Sequence, residues 1–146
     1  MGYPAGVGGA DSVARAMAGY MKNLAGVPVI IENKTGALTN IAAEHVANSR
    51  PNGYTLLVTA GNSTFATNMH LFKTLPFDPY KSFSYVTTLT RVPFVLMVSP
   101  KEKIGSVQEL TRILKAKGSK GSYGSSTPIS LVISERYKSI AGLETV

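Results

Sequence analysis

What most limits how this chain can fold is an alternation of two hydrophobic periods along its length. Short apolar runs rich in β-branched residues, Val27–Glu32, Tyr54–Thr59, Phe83–Thr90 and Phe94–Ser99, read as buried strands. Between them, apolar residues recur at helical spacing. In Asp11–Ala25 these are Val13, Met17, Tyr20, Met21 and Leu24, with Asp11 placed to cap the start and Gly26 to stop the end. Further helices are predicted from Asn40 to Asn48, from Ser63 or Thr64 to Phe72, over Ser106–Lys117 with Ser106 as cap, and over Ile129–Ile140. Arg50-Pro51-Asn52-Gly53 is a strong turn, Pro76 and Pro79 break regular structure, and Gly121–Tyr123 reads as a strand tip. Strands alternating with helices predict an α/β architecture with right-handed crossovers.

Both ends look unfinished for such a fold. The first helix follows a glycine-rich loop that no strand precedes, and Leu143–Val146 reads as the start of a strand. The expectation is therefore an excerpt from something longer, although 146 residues would suit one domain. No apolar run approaches the roughly 18–20 residues of a membrane span. No basic stretch precedes an apolar one as in an export leader, so the chain is either cytosolic or separated from its leader. Zero cysteines exclude a disulfide scaffold, cysteine-ligated zinc, iron–sulfur clusters and thiol nucleophiles.

Charge narrows the partners. Fifteen Lys and Arg against eight Asp and Glu give +7, a surplus that favours small anions, nucleic acid or an acidic membrane. The densest basic stretch, Lys101–Lys120, has no interleaved aromatic residue for base stacking and no nucleic-acid motif, so nucleic acid is not expected as a partner. Catalysis finds little support either. His45 and His70 have no Asp or Ser at a recognised spacing, and there is no G-x-S-x-G elbow, no close acidic pair and no metal-ligand spacing.

Three small, polar loops remain, each opening a predicted helix. Gly6-Val7-Gly8-Gly9 fails the dinucleotide fingerprint because its third glycine would fall at Asp11. A glycine-rich turn still lets backbone N–H groups at a helix start approach an anion. Alternatively, these glycines only make a turn and Asp11 only caps. Tyr123-Gly124-Ser125-Ser126-Thr127-Pro128 offers three hydroxyls before the last helix, and Ala60-Gly61-Asn62-Ser63-Thr64 follows a predicted strand. In open α/β sheets, ligands sit at the carboxyl ends of strands.

Five ordered fragments carry a family resemblance: Tyr3-Pro4-Ala5-Gly6 through Asp11 and Arg15; Val29–Asn33 with Gly36, Ala37 and Asn40-Ile41; Pro51-Asn52-Gly53-Tyr54-Thr55-Leu56-Leu57; Leu71-Phe72-Lys73 with Leu75-Pro76-Phe77-Asp78-Pro79; and Tyr123-Gly124-Ser125-Ser126. They resemble the tripartite tricarboxylate transporter solute receptors, also called Bug or TctC-type periplasmic binding proteins. Thr35, Leu38 and Thr39 stand where the family stretch has a proline and two glycines. The first loop is one residue longer than usual, and the second lacks a following Gly-x-Gly.

The resemblance implies a type II periplasmic-binding-protein-like fold with two three-layer α/β/α lobes. This chain would supply most of the first lobe (1–92) and the start of the second (93–146). It implies capture of a small organic carboxylate for membrane transporter subunits, in the periplasm, with no enzymatic chemistry and no cofactor. The implied ligand contacts are Ala5, Gly6, Gly8, Gly9, Ala10 and Asp11 in one loop, Ser125, Ser126 and Thr127 in a second, and Ser63 and Thr64 in a third region. The alternative is a small hydrolase-like enzyme, or a stand-alone anion-binding domain, reusing the same loops. Apolar strands left uncovered in half a receptor also predict a homodimer.

Overall fold

In the computed structural model, which describes every residue except Val7, Ser126 and Val146, the chain divides into two compact units, Met1–Arg91 and Val92–Val146. In the first unit, helix α1 spans Gly8–Ala25. It begins three residues before the expected start, so the glycine stretch enters the first turn and Asp11 lies inside the helix, not at its cap. The buried stripe is Asp11, Ala14 and Ala18, at i, i+3 and i+7. Tyr20 and Leu24, expected in the core, are exposed. Gly26 ends the helix as predicted, at a positive φ of 69°, and its N–H bonds the Lys22 carbonyl.

Helix α2 spans Asn40–Ala47 and buries Asn40, Ala42 and Ala43. A 3₁₀ turn, Ala37–Thr39, leads into it. Ala37, Leu38 and Thr39 all have positive φ (44°, 51° and 76°), a left-handed run that L-residues avoid. Leu38 and Thr39 therefore keep the backbone that the family's two glycines would adopt without strain. The predicted helix to Phe72 resolves into a wide π turn, Asn62–Thr67, followed by α3, Asn68–Leu71. The Thr67 hydroxyl donates to the Asn62 carbonyl at 2.9 Å, satisfying an acceptor in the widened turn. Phe65 of the π turn packs against Phe83 and Tyr85 from beyond α3, and Phe83 against Phe77, edge-to-face or tilted, with ring centroids 5.1–5.5 Å apart.

In the second unit, α4 spans Val107–Lys117 and α5 spans Pro128–Ala141. Ser106 caps α4 as predicted, its hydroxyl accepting from the Glu109 N–H at 3.1 Å. Gly142 ends α5 in the left-handed conformation, with the Leu143 N–H closing back on the Lys138 carbonyl. Leu143 and Thr145 are buried, and Thr145 lies so close against Gly121 that a Cβ there would collide with its Cγ2.

The expected strands are not formed: among the described residues there is no β-strand. Val27–Glu32, Tyr54–Thr59, Phe83–Thr90 and Phe94–Ser99 carry no regular structure, and Tyr54, Val86 and Met97 are more than 80 % exposed. A strand exists only as part of a ladder, so β-branched residues can favour extended backbone without supplying a neighbour. One fragment of pairing survives. The Met1 amino group donates to the Glu32 carbonyl (2.5 Å) and the Lys34 N–H to the Met1 carbonyl (2.7 Å), as in a parallel pair. Among the described residues no helix is long and apolar enough to cross a membrane.

Candidate functional site

The first glycine-rich loop is built around Asp11. Its side chain is buried, and its carboxylate accepts from four donors. The Gly6 N–H lies at 2.8 Å, Arg15 Nε at 2.7 Å, Arg15 Nη2 at 3.2 Å and Asn33 Nδ2 at 3.0 Å. Asn33 Nδ2 also donates to the Tyr3 carbonyl at 2.7 Å. The chain on both sides of the loop, Tyr3–Gly6 and Asn33, is thus tied to one carboxylate. Arg15, then Asn33 and the Gly6 N–H, hold the Asp11 carboxyl down to about 2. The expectation that Asp11 caps the helix is not met, since it lies inside α1; its carboxylate instead ties the loop together through these four donors.

What the loop presents is backbone. Ala5 and Gly6 form an exposed turn with Gly6 at a φ of 70°, and Gly8, Gly9 and Ala10 make the first turn of α1. First-turn N–H groups have no intrahelical acceptor and carry the positive end of the helix dipole. Arg15 offsets the charge of Asp11, so an anion approaching them meets neutral donors rather than an unpaired carboxylate.

The second loop lies in the other unit. Gly124 and Ser125 are exposed, and Ser126 falls outside the described residues. Thr127 is the N-cap of α5 in a reciprocal capping box. Its hydroxyl accepts from the Ser130 N–H (3.3 Å), while its own N–H donates to Ser130 Oγ (3.0 Å). Thr127 is therefore committed to the helix, leaving Ser125 as the exposed hydroxyl beside it. Just upstream, the Tyr123 hydroxyl donates to Glu135, which also pairs with Lys138 Nζ at 2.9 Å, and that ammonium lies 5.3 Å from the Tyr123 ring centre. These contacts anchor the approach to the loop on α5.

The third region is divided by burial. Ser63 is half-buried, whereas Thr64 is 0 % exposed. The Thr64 hydroxyl meets Thr39 Oγ1 at 2.5 Å and Thr59 Oγ1 at 2.6 Å. Next to it, Asn68 Nδ2 donates to the Leu38 carbonyl (2.8 Å) and to Asn40 Oδ1 (2.7 Å), while Asn68 Oδ1 is buried without a partner among the described residues. Thr64 thus faces inward and braces the left-handed turn. Sequence reasoning did not single out Asn33, Thr39, Thr59 or Asn68 as site-forming. A signal existed for Thr39, a non-glycine residue at a glycine position.

Two shallow depressions, of about 570 Å³ along Met69–Pro79 and about 430 Å³ between Lys34 and α2, are lined by none of these loops. Among the described residues, no three His, Asp or Glu gather as a metal site would require.

Comparison with known proteins agrees with the motifs. Protein BugT of Bordetella pertussis is 31% identical over 115 residues, 79% of this chain and 35% of BugT. A UPF0065 protein of the same organism is 36% identical over 123 residues, 84% of this chain and 38% of that protein. A UPF0065 protein of Bordetella bronchiseptica is 37% identical over 100 residues, 68% of this chain and 30% of its own length. The chain spans about a third of the length of these curated relatives. No solved structure matches it. Over residues 13–146 the sequence matches the profile of the tripartite tricarboxylate transporter family receptors, solute-binding proteins of periplasmic-binding-protein-like fold, and the chain belongs to that family.

Proposed function

We propose that this chain forms the ligand-gripping portion of a two-lobed periplasmic receptor that captures a small organic carboxylate and passes it to membrane transporter subunits. Residues up to about Val92 would form most of one α/β lobe, and those from Pro93 the start of the other. Capture involves no bond-making and no cofactor. In the first lobe the donors are the backbone N–H groups of Ala5, Gly8, Gly9 and Ala10, the Gly6 N–H being held by Asp11; in the second they are Ser125 and Ser126. Ser63 borders the third region.

The observation that carries this reading is the saturated Asp11 carboxylate behind the first loop. It holds a helix start open as a set of neutral donors, which suits a carboxylate and lacks the Arg fork that phosphate recognition favours. Backbone amide spectra recorded during titration with acetate, succinate, citrate, inorganic phosphate and a nucleotide test it. Carboxylates should shift the Gly8, Gly9 and Ala10 amides at lower concentration than phosphate. Shifts produced only by the nucleotide, or only by metal cations, would overturn it. The exposed apolar residues Val95 and Met97 further support pairing with a second copy of the chain.

A further inference from the structure

Thr39, Thr64 and Thr59 form a chain of three hydroxyls joined by two short O···O contacts, 2.5 and 2.6 Å. Three hydroxyl protons serve two bonds, so one is left over. Thr64 is fully buried and its hydroxyl has no further acceptor among the described residues, so the spare proton leaves the chain at an end. The Thr39 end is sealed. Thr39 is 7 % exposed, and Gly2 packs so tightly over it that a Cβ there would stand 2.5 Å from Thr39 Cβ. The Thr59 end is half-buried and opens where Tyr54–Thr59 gives way to the Ala60–Thr64 loop. A buried hydroxyl proton without an acceptor is costly, so the sealed end must donate inward. Thr39 then donates to Thr64, Thr64 donates to Thr59, and the Thr59 proton is the one left to point out.

We infer that Thr59 is an anion-facing donor, its direction set by the buried hydroxyls of Thr64 and Thr39. Successive O–H groups donating in one sense polarise one another, which strengthens the terminal donor toward a negative oxygen. Thr39 is the residue that makes this possible, because a glycine at its position would leave Thr64 without its inner donor. As a carboxylate contact, the assignment rests on the capture reading above; as a donor assignment, it stands on burial alone.

Hydroxyl-proton exchange measured by NMR on the threonine-labelled chain, without ligand, tests the direction. The Thr39 and Thr64 hydroxyl protons should be protected and the Thr59 proton should exchange with water. Faster exchange at Thr39 than at Thr59 would show that the chain runs the other way and would overturn the inference. Acetate titration then tests the contact. Thr59→Val should weaken acetate binding about tenfold, as loss of a hydrogen bond to a charged group does, while Thr59→Ser should retain it. Acetate that shifts the Gly8–Ala10 amides equally in wild type and Thr59→Val would remove Thr59 from the site. If acetate shifts nothing, the carboxylate reading fails and the exchange order alone decides the donor assignment.

Discussion

Thr64→Val is the sharpest test of the cluster that organises the third region. The substitution is nearly isosteric and the site is fully enclosed, so it changes hydrogen bonding with little change in volume. It removes both hydroxyl contacts of Thr64. Thr59 can turn its hydroxyl to water, but Thr39, buried beneath Gly2, is left with an unpaired hydroxyl. That penalty is about 1–3 kcal/mol. The added methyl returns about 0.8 kcal/mol of apolar burial. The expected net loss is about 0.2–2 kcal/mol, a fall in the urea midpoint of up to roughly 1 M at ordinary m-values. The diagnostic comparison is the Thr39→Val/Thr64→Val double variant. Replacing both partners with apolar groups leaves no orphan, so the double variant should be more stable than the sum of the two single losses by about 1 kcal/mol. Equilibrium unfolding monitored by circular dichroism gives all four stabilities. Strict additivity of the two single effects would mean that these hydroxyls do not interact, and the account of the braced turn would be wrong.

Acid unfolding should report on Asp11. Its carboxyl is held to about 2 in the folded chain, so its contribution is complete above the ordinary carboxylate range near 4 and is lost as pH falls toward 2; Asp11→Asn should remove that part of the slope, and an unchanged slope would argue against the four-donor arrangement. Gly121→Ala should cost about 1–3 kcal/mol through its clash with Thr145 Cγ2, and Thr145→Ser, which deletes that methyl, should recover most of the loss in thermal unfolding. Light scattering at micromolar concentration should show a dimer or larger species for the 146-residue chain, whereas a cooperative monomer would remove the support for self-pairing.

The family was legible because its marks are local. Pro51-Asn52-Gly53-Tyr54 and Leu75-Pro76-Phe77-Asp78-Pro79 occupy short stretches whose turn chemistry acts over a few residues. Gly53 at a φ of 81° and Asp78 Oδ1, accepting from the Tyr80 and Lys81 N–H groups, do what such residues do in isolation. The helix stops at Gly26 and Gly142 and the Ser106 cap were readable for the same reason.

Arrangements that depend on residues far apart in the chain were not readable. Asp11 looked like a cap, and only its meeting with Asn33, 22 residues on, makes it the saturated centre of the first loop. Thr39 and Thr64 are separated by 25 residues and Asn40 and Asn68 by 28, distances at which neither period nor propensity says anything. The strands show the opposite failure. Tyr54–Thr59 and Phe94–Ser99 have the composition of buried strands, but a ladder needs a second backbone alongside, and none of the described segments pairs with them as a strand. Composition sets what a segment would bury; the folded chain determines whether anything lies there to bury it.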